Sequence, residues 1–478
     1  MKKIKLIIYS LLFFCLIGCN SDSDYTNVNV SIMGDIYQPI ILDGFSDYKI
    51  TKLDYNDSKV DVISVKDVID SVEIISVDSS ITFYSYDGVI ARVGYDQIDS
   101  LYLTYKLGNG FSVISLDHPP QIGVKFIEKI VIVSNTNDID KTFNVINKDH
   151  TTRYTYGELF YLESLNSIVL EGQPNKGEFT LDVYTKREVI PLSSFCDGEL
   201  SNPLGIFSDS SELVLDIDGY IELRSNSVDY IDSDKKTRIK DLKGIWFDYP
   251  LVSIIDIYDR VLNSKEDVMI ILVDGLGINT YYTNGFDYLN SLSYDNHPFI
   301  SYNLQHARTV YPSISPVALS SLVTGTLPNV HGIIDRSGKD LKVDDMYLNL
   351  DSIIIEGYST LINLSKSQML NIDTNDNNSN DDEVFQQALL AIKEQPELLF
   401  LHFHGYDDLS HTYGPHVIET KEKAVELDSY IKSLVDEFNG RIIITSDHGQ
   451  HDTNGKKLGD HGEIRHEDMI IPIIEIVK

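Results

Sequence analysis

Cysteine is nearly absent from this chain. There are 3 in 478 residues, and two of them, Cys15 and Cys19, come before residue 20. Cys196 is left alone in the body, so it cannot close an internal disulfide, and no thiolate cluster is available to a metal. Any metal must be held by oxygen and imidazole. Positive charge is scarce as well: 39 lysines and arginines face 73 aspartates and glutamates, a formal net charge of −34. A field of that sign keeps a protein soluble and works against polyphosphate backbones, so no nucleic-acid partner is expected. A small phosphoester is not excluded, because bound dications invert the potential around them.

A membrane-spanning run is also missing. The stretch from Leu6 to Ile17 is too short to cross a bilayer and follows the basic residues Lys2, Lys3 and Lys5. It ends in Leu16-Ile17-Gly18-Cys19, the pattern of a bacterial lipoprotein signal that is cut before the cysteine and lipidated on it. Residues 1–18 are therefore expected to be a signal peptide and residues 19–24 a polar, lipidated tether. The mature protein would be exported and held at a bacterial membrane or cell surface through Cys19 alone.

Two grammars divide the remainder. Residues 25–249 are β-rich: Val28, Val30 and Ile32 alternate with polar neighbours, and Asp87-Gly88 and Asp218-Gly219 each separate two apolar runs in the manner of a hairpin. One or two β-sandwich modules are expected there. No catalytic constellation is found in them, which leaves a scaffold, spacer or binding role. Residues 250–478 alternate strand-like and helix-like segments. Val384, Phe385, Ala388, Leu389 and Ile392 form one helical stripe, with Asp381 and Asp382 as capping candidates. Ala424, Leu427, Ile431, Leu434, Val435 and Phe438 form a second. The polar, low-complexity segment from Asn371 to Asp382 is expected to be a surface loop.

Three apolar runs of this second half each lead into an acid. Met269–Val273 leads into Asp274, Leu398–Phe403 toward Asp407, and Ile442–Thr445 into Asp447-His448. Such runs predict buried strands of a mostly parallel sheet flanked by helices, and open α/β sheets bind ligands beyond the carboxyl ends of their strands. Three carboxylates meeting on one edge would repel each other unless cations held them. Asp407 and His411 stand four apart, Asp447 and His448 are adjacent, and His461-Gly462 supplies a further imidazole, with His466 as its rival. Oxygen and imidazole together make a zinc ligand set. Ser315 precedes Pro316 at the start of a short helix, where it could cap the helix or aim a hydroxyl at a bound anion. The local sequence does not decide between the two.

Taken in order, these motifs resemble the alkaline phosphatase superfamily, and within it the type I phosphodiesterase/nucleotide pyrophosphatase branch. The resemblance rests on Asp274-Gly275-Leu276-Gly277, Pro312-Ser313-Ile314-Ser315 running to Thr324-Gly325, Asp407 with His411 and Tyr413-Gly414-Pro415, Ser446-Asp447-His448-Gly449, and His461-Gly462. It implies an alkaline phosphatase-like catalytic domain with Ser315 as nucleophile. Asp274, Asp447 and His448 would bind one divalent metal that also meets the Ser315 oxygen; Asp407, His411 and His461 would bind a second. Zinc is the first choice and manganese the alternative. His331, in Pro328-Asn329-Val330-His331-Gly332-Ile333, falls in a family motif outside the metal set and is expected to be structural.

Four positions depart from the family pattern. Serine replaces the usual threonine nucleophile, and Ala318 stands where nucleotide-cleaving members carry an asparagine that contacts phosphate. Gly405-Tyr406 replaces Glu-Pro, and Ser410 replaces a glycine. None removes a metal ligand. The resemblance implies hydrolysis of a small phosphoester through a phosphoseryl intermediate. A phosphotransferase or mutase of the same superfamily, or a non-catalytic surface-binding lipoprotein, is the alternative. A sulfatase is disfavoured, because neither Ser313 nor Ser315 has the Cys/Ser-x-Pro-x-Arg frame. The short stretch between Asp335 and Asp381 suggests an open site without a large cap.

Overall fold

The computed structural model describes residues 29–106, 110–137, 141–176, 178–293 and 301–478. The expected signal peptide and its lipidation candidate Cys19 lie outside the described residues. Among the described residues no helix is long and apolar enough to cross a membrane. The chain forms two compact units. One comprises the chain up to Thr142 with Tyr154–Leu165 and Leu223–Val228; the other comprises Phe143–Arg153, Asn166–Glu222 and Asp229–Lys478.

The first unit is β-rich. A five-stranded sheet runs in the order Ile40–Leu42, Val30–Gly34, Ile127–Ser134, Ser79–Ser85, Ile90–Gly94. A four-stranded sheet is built from Thr51–Tyr55, Ser58–Ser64, Leu101–Lys106 and Gly110–Ser115. Alternation along Val30–Gly34 buries Val30 and Ile32 in a core that also takes Ile63, Leu103 and Phe111 from the second sheet. Asp87-Gly88 makes its hairpin: Tyr84 pairs with Ile90, and Gly88 holds φ +87°.

The second unit carries a seven-stranded sheet. Its strands are β1 (Val268–Val273), β2 (Ser301–Arg308), β3 (Ser352–Glu356), β4 (Gln368–Leu370), β5 (Leu398–Phe403), β6 (Arg441–Thr445) and β7 (Ile470–Val477), in the order β2-β7-β6-β1-β5-β3-β4. From β6 to β4 the neighbours pair in parallel; β7 pairs antiparallel with both β6 and β2. Both faces are covered, which is why the strand sequences are continuously apolar. Met269, Ile271, Leu399, Leu401, Ile442 and Ile444 face α2 (Asp381–Ala391) and α4 (Ile418–Glu437). Val268, Ile270, Leu272, Phe400 and Ile443 face α1 (Ser315–Thr324), every residue of which is buried. The edge that carries the acids thus sits on a buried apolar base.

This unit starts earlier in the chain than the change of grammar near residue 250. A second five-stranded sheet, with strands at Thr142–Asn147, His150–Thr155, Leu204–Phe207, Glu212–Val214 and Leu242–Phe247, places Ile146, Leu204, Ile206 and Trp246 in the same apolar cluster as Met269 and Ile271. The Asp218-Gly219 hairpin expected from sequence does not form. Glu212–Val214 pairs with Leu204–Phe207, whereas Tyr220–Leu223 pairs with Val183–Pro191 in another sheet. The turn exists, with the Gly219 N–H donating to the Asp216 carbonyl, but it links two sheets. Asp381 is not the cap of α2 either; Asn380 occupies that position, and Asp381 Oδ1 accepts the backbone N–H groups of His404 and Gly405.

Candidate metal centre

Strand order assembles the site. β1 lies between β5 and β6 and parallel to both, so Asp274, Asp407 and Asp447 emerge at one end of three adjacent strands. Asp274 follows β1 directly, and its N–H still donates to the Phe403 carbonyl. Asp407 lies in the first turn of α3 (Gly405–Tyr413), which places His411 one turn further along the same face. Gly275 holds φ +76°, and a Cβ there would sit 2.5 Å from Gln450 Nε2 and 3.0 Å from Asp407 Oδ1. The glycine of this loop is required by close packing between the elements that carry the acids.

Ser315 is the first residue of α1 and Ile314 is its cap, so the serine hydroxyl makes no capping bond. Its Oγ instead lies 3.4 Å from Asp274 Oδ1 and 3.2 Å from His448 Nε2. His448 Nε2 is 3.4 Å from Asp274 Oδ1 and 3.3 Å from Asp447 Oδ2. His411 Nε2 is 3.3 Å from Asp407 Oδ2, and His461 Nε2 is 3.7 Å from Asp407 Oδ1. The rings of His448 and His461 stack at 3.7 Å between centroids, which joins the two halves of the site. All seven candidate residues come together. His466 does not; its backbone N–H donates to Thr151 Oγ1. His331 lies outside the group, with Nε2 2.9 Å from Ser321 Oγ and Nδ1 accepting the Ile333 N–H.

The donor set fits divalent cations. His448 Nδ1 faces the Gly449 carbonyl at 3.1 Å, His411 Nδ1 the Gly459 carbonyl at 2.8 Å, and His461 Nδ1 the Ser313 carbonyl at 2.9 Å. A carbonyl can only accept, so each Nδ1 carries a proton, which leaves Nε2 as the nitrogen that faces the carboxylates and could ligate a cation. Metal-binding imidazoles are held by their far nitrogen in this way. Asp447 Oδ1 accepts the N–H groups of Gly275 and His448, whereas its buried Oδ2 has no hydrogen-bond partner. Ligand atoms of Asp407, His411 and His461 lie within 4.8 Å of one another, as do those of Asp274, Asp407 and His448.

Electrostatics point the same way. Burial and the Asp274 charge push the Asp447 carboxyl up to about 6. Burial, then the neighbouring His448, press His461 down to about 3. Asp274 resists the upward push of burial and is held well below the usual carboxylate range, first by His402 and His404 and then by His448. Burial thus works against charge on both Asp447 and His461, and a bound dication would favour the ionised carboxylate and the neutral imidazole alike.

His402 and His404 went unnoticed in sequence. Both imidazoles touch Asp274 Oδ2, through His402 Nε2 at 3.3 Å and His404 Nδ1 at 3.2 Å. Their other nitrogens meet Glu356, at 3.1 Å for His402 Nδ1 and by a short hydrogen bond for His404 Nε2. A usable signal existed: Ile353-Ile354-Ile355 into Glu356 is a fourth apolar run ending on an acid.

Residues 268–349 and 362–471 match the family model for type I phosphodiesterase / nucleotide pyrophosphatase. The match spans under half of the chain. Among solved structures, murine ectonucleotide pyrophosphatase/phosphodiesterase 5 aligns at 13% identity and a TM-score of 0.35, covering 44% of this chain and 88% of its own. A second structure of that murine protein, an inactive form in complex with AMP, aligns with the same score and identity over 45% of this chain and 88% of its own. Phosphonoacetate hydrolase from Sinorhizobium meliloti 1021, in complex with phosphonoacetate, aligns at 17% identity and a TM-score of 0.31, over 40% of this chain and 58% of its own. No curated protein sequence matches this one.

Proposed function

We propose that this chain is a di-metal phosphoester hydrolase, with zinc as the first candidate, in which Ser315 accepts the phosphoryl group covalently. The observation that carries the proposal is the position of Ser315 Oγ, within 3.4 Å of both Asp274 and His448 at the start of a wholly buried helix. Asp274, Asp447 and His448 would hold one cation beside that oxygen; Asp407, His411 and His461 would hold the other. When bound, such a pair supplies Lewis-acid stabilisation to the attacking, leaving and phosphoryl oxygens.

The side chains do the remainder. Ser315 Oγ gives up its proton and forms a bond to phosphorus, while the bond from phosphorus to the leaving oxygen breaks and the alcohol departs protonated. Water then attacks the phosphoserine phosphorus, the bond to Oγ breaks, phosphate or its monoester is released, and Ser315 regains a proton. Two in-line displacements give net retention. The positive end of α1 favours the phosphoryl anion at Ser315. Ala318 is buried in the core and offers phosphate nothing. Arg336 Nη2, 3.4 Å from His461 Nε2, and Lys457 Nζ, 3.4 Å from His411 Nε2, are cations at the rim by which a substrate anion could be drawn in.

The test is a panel of chromogenic phosphomonoesters, phosphodiesters and sulfate esters, with and without chelator, on wild type and Ser315→Ala. Turnover of a phosphoester that both chelator and alanine abolish is expected; chelator-resistant turnover would defeat the reading. We further propose that a lipid on Cys19 holds the enzyme outside the cytoplasm. Cys19→Ser should then move activity from the membrane fraction to the soluble one, and unchanged fractionation would contradict it.

A further inference from the structure

Glu356, His402 and His404 are absorbed by neither half of the di-metal centre, yet two of them are among the most deeply buried polar groups of the unit, and the side chain of His404 is only 15% exposed. Glu356 is 1% exposed and His402 is fully buried. Register brings them together. β3 pairs in parallel with β5, Ile355 opposite Leu401, so the next residues along, Glu356 and His402, are neighbours. β1 pairs with the other edge of β5, Leu272 opposite His402, so Asp274 lies just beyond. Gly357 keeps this corner open, since a Cβ there would come within 2.7 Å of the His404 ring.

We propose that Asp274 Oδ2, His402 Nε2 and His404 Nδ1 bind a third divalent cation, with Glu356 as the carboxylate that holds both imidazoles from behind. The inference rests on the reading of Asp274 as a metal ligand through its other oxygen, Oδ1. Three observations support it. The three atoms lie within 4.8 Å of one another, at 3.2 and 3.3 Å from the shared oxygen. A tetrahedral zinc with bonds of about 2.0–2.1 Å has ligand-to-ligand edges of about 3.3–3.4 Å. A charge-assisted hydrogen bond from imidazolium to carboxylate would instead be about 2.7–2.9 Å. The two edges at the shared oxygen have the spacing of ligands around an ion.

The second observation is orientation. Both far nitrogens converge on Glu356, whose carboxylate can only accept, so His402 Nδ1 and His404 Nε2 carry protons. The near nitrogens face the Asp274 oxygen, and on giving up their protons to an incoming cation they would present it with lone pairs, as in a carboxylate–histidine–metal chain. Third, His402 Nε2 has no hydrogen-bond partner although the residue is fully buried. Two nitrogens and one oxygen suit zinc or cobalt better than magnesium or calcium. Asp274 would bridge this ion and the one beside Ser315, so filling the third site would fix the carboxylate on which the nucleophile depends.

The experiment loads the metal-free full-length protein with zinc alone, removes the excess by dialysis, and counts ions per chain by elemental mass spectrometry. Wild type, His402→Asn/His404→Asn and His411→Ala are compared, each checked for an intact fold by circular dichroism. Three ions are expected in wild type and two in the double variant. Anomalous diffraction at the zinc edge on wild-type crystals needs no variant and should place a peak among Asp274, His402 and His404. Two ions in wild type, with one lost in His411→Ala and none lost in the double variant, would overturn the third site and leave the hydrolase reading intact. A wild-type protein that retains no ion would overturn both.

Discussion

Replacing Asp447 by asparagine should strengthen the metal-free fold while weakening its response to zinc. The amide side chain of Asp447→Asn would keep an oxygen to accept the Gly275 N–H at 3.1 Å and the His448 N–H at 2.9 Å, so the loop geometry is preserved. What is lost is a buried charge. Burial and Asp274 lift the Asp447 carboxyl from 3.8 to about 6. A carboxyl raised in the fold carries its full penalty above pH 6, and the penalty fades as pH falls from about 6 to 3.8, the window in which the folded protein takes up the proton first. A rise of that size corresponds to about 3 kcal/mol at pH 8. For a unit of this size that is a rise of roughly 4 °C in melting temperature. The assay is thermal melting at pH 8 and pH 5, in chelator and in zinc. In chelator the variant should melt higher at pH 8 and by about half as much at pH 5. In zinc it should gain less than wild type, having lost one anionic ligand. A variant that melts lower in chelator at pH 8, or that matches the zinc-induced gain of wild type, would refute the claim that this carboxylate awaits a cation.

Two further outcomes follow from the geometry. Burial presses His331 down to about 4, so its contribution to stability is complete above pH 6.5 and is lost as pH falls from 6.5 toward 4. The loss should be on the order of 3 kcal/mol; His331→Gln should flatten this part of a stability–pH curve, and parallel curves for the two proteins would contradict it. Gly275→Ala places a Cβ 2.5 Å from Gln450 Nε2 on a backbone at φ +76°. Strain of about 1–2 kcal/mol and displacement of Asp407 should lower both zinc content and turnover at least tenfold; turnover within twofold of wild type would show that the loop yields freely.

Much of the catalytic edge was legible because its physics is local. An apolar run needs both faces covered, and an acid at its end has nowhere to go but the strand terminus, so Asp274 and Asp447 could be placed from sequence. The role of Ser315 could not, since cap and nucleophile occupy helix positions one residue apart; the structure puts Ile314 in the cap and frees the hydroxyl. Glu356, His402 and His404 were hidden because their meeting depends on the register of β3, β5 and β1, which no single segment encodes. His402 also interrupts its strand's apolar pattern and so counted as noise. The Asp218-Gly219 hairpin failed for a related reason: turn chemistry predicts a turn, but strand partners are chosen by tertiary packing. In the polar segment after Asn371, hydrogen bonds are many and local, Asp373 accepting the N–H groups of Asn375, Asn377 and Asn378, although composition alone marked it only as surface.

The central claim is that the Ser315 oxygen becomes the phosphoryl acceptor. Acid quenching of the zinc-loaded protein during turnover of a chromogenic phosphoester, followed by peptide mass spectrometry, measures this directly. Phosphate on the peptide containing Ser315, absent in Ser315→Ala and in chelator, is the predicted result. Undiminished turnover by Ser315→Ala would contradict it.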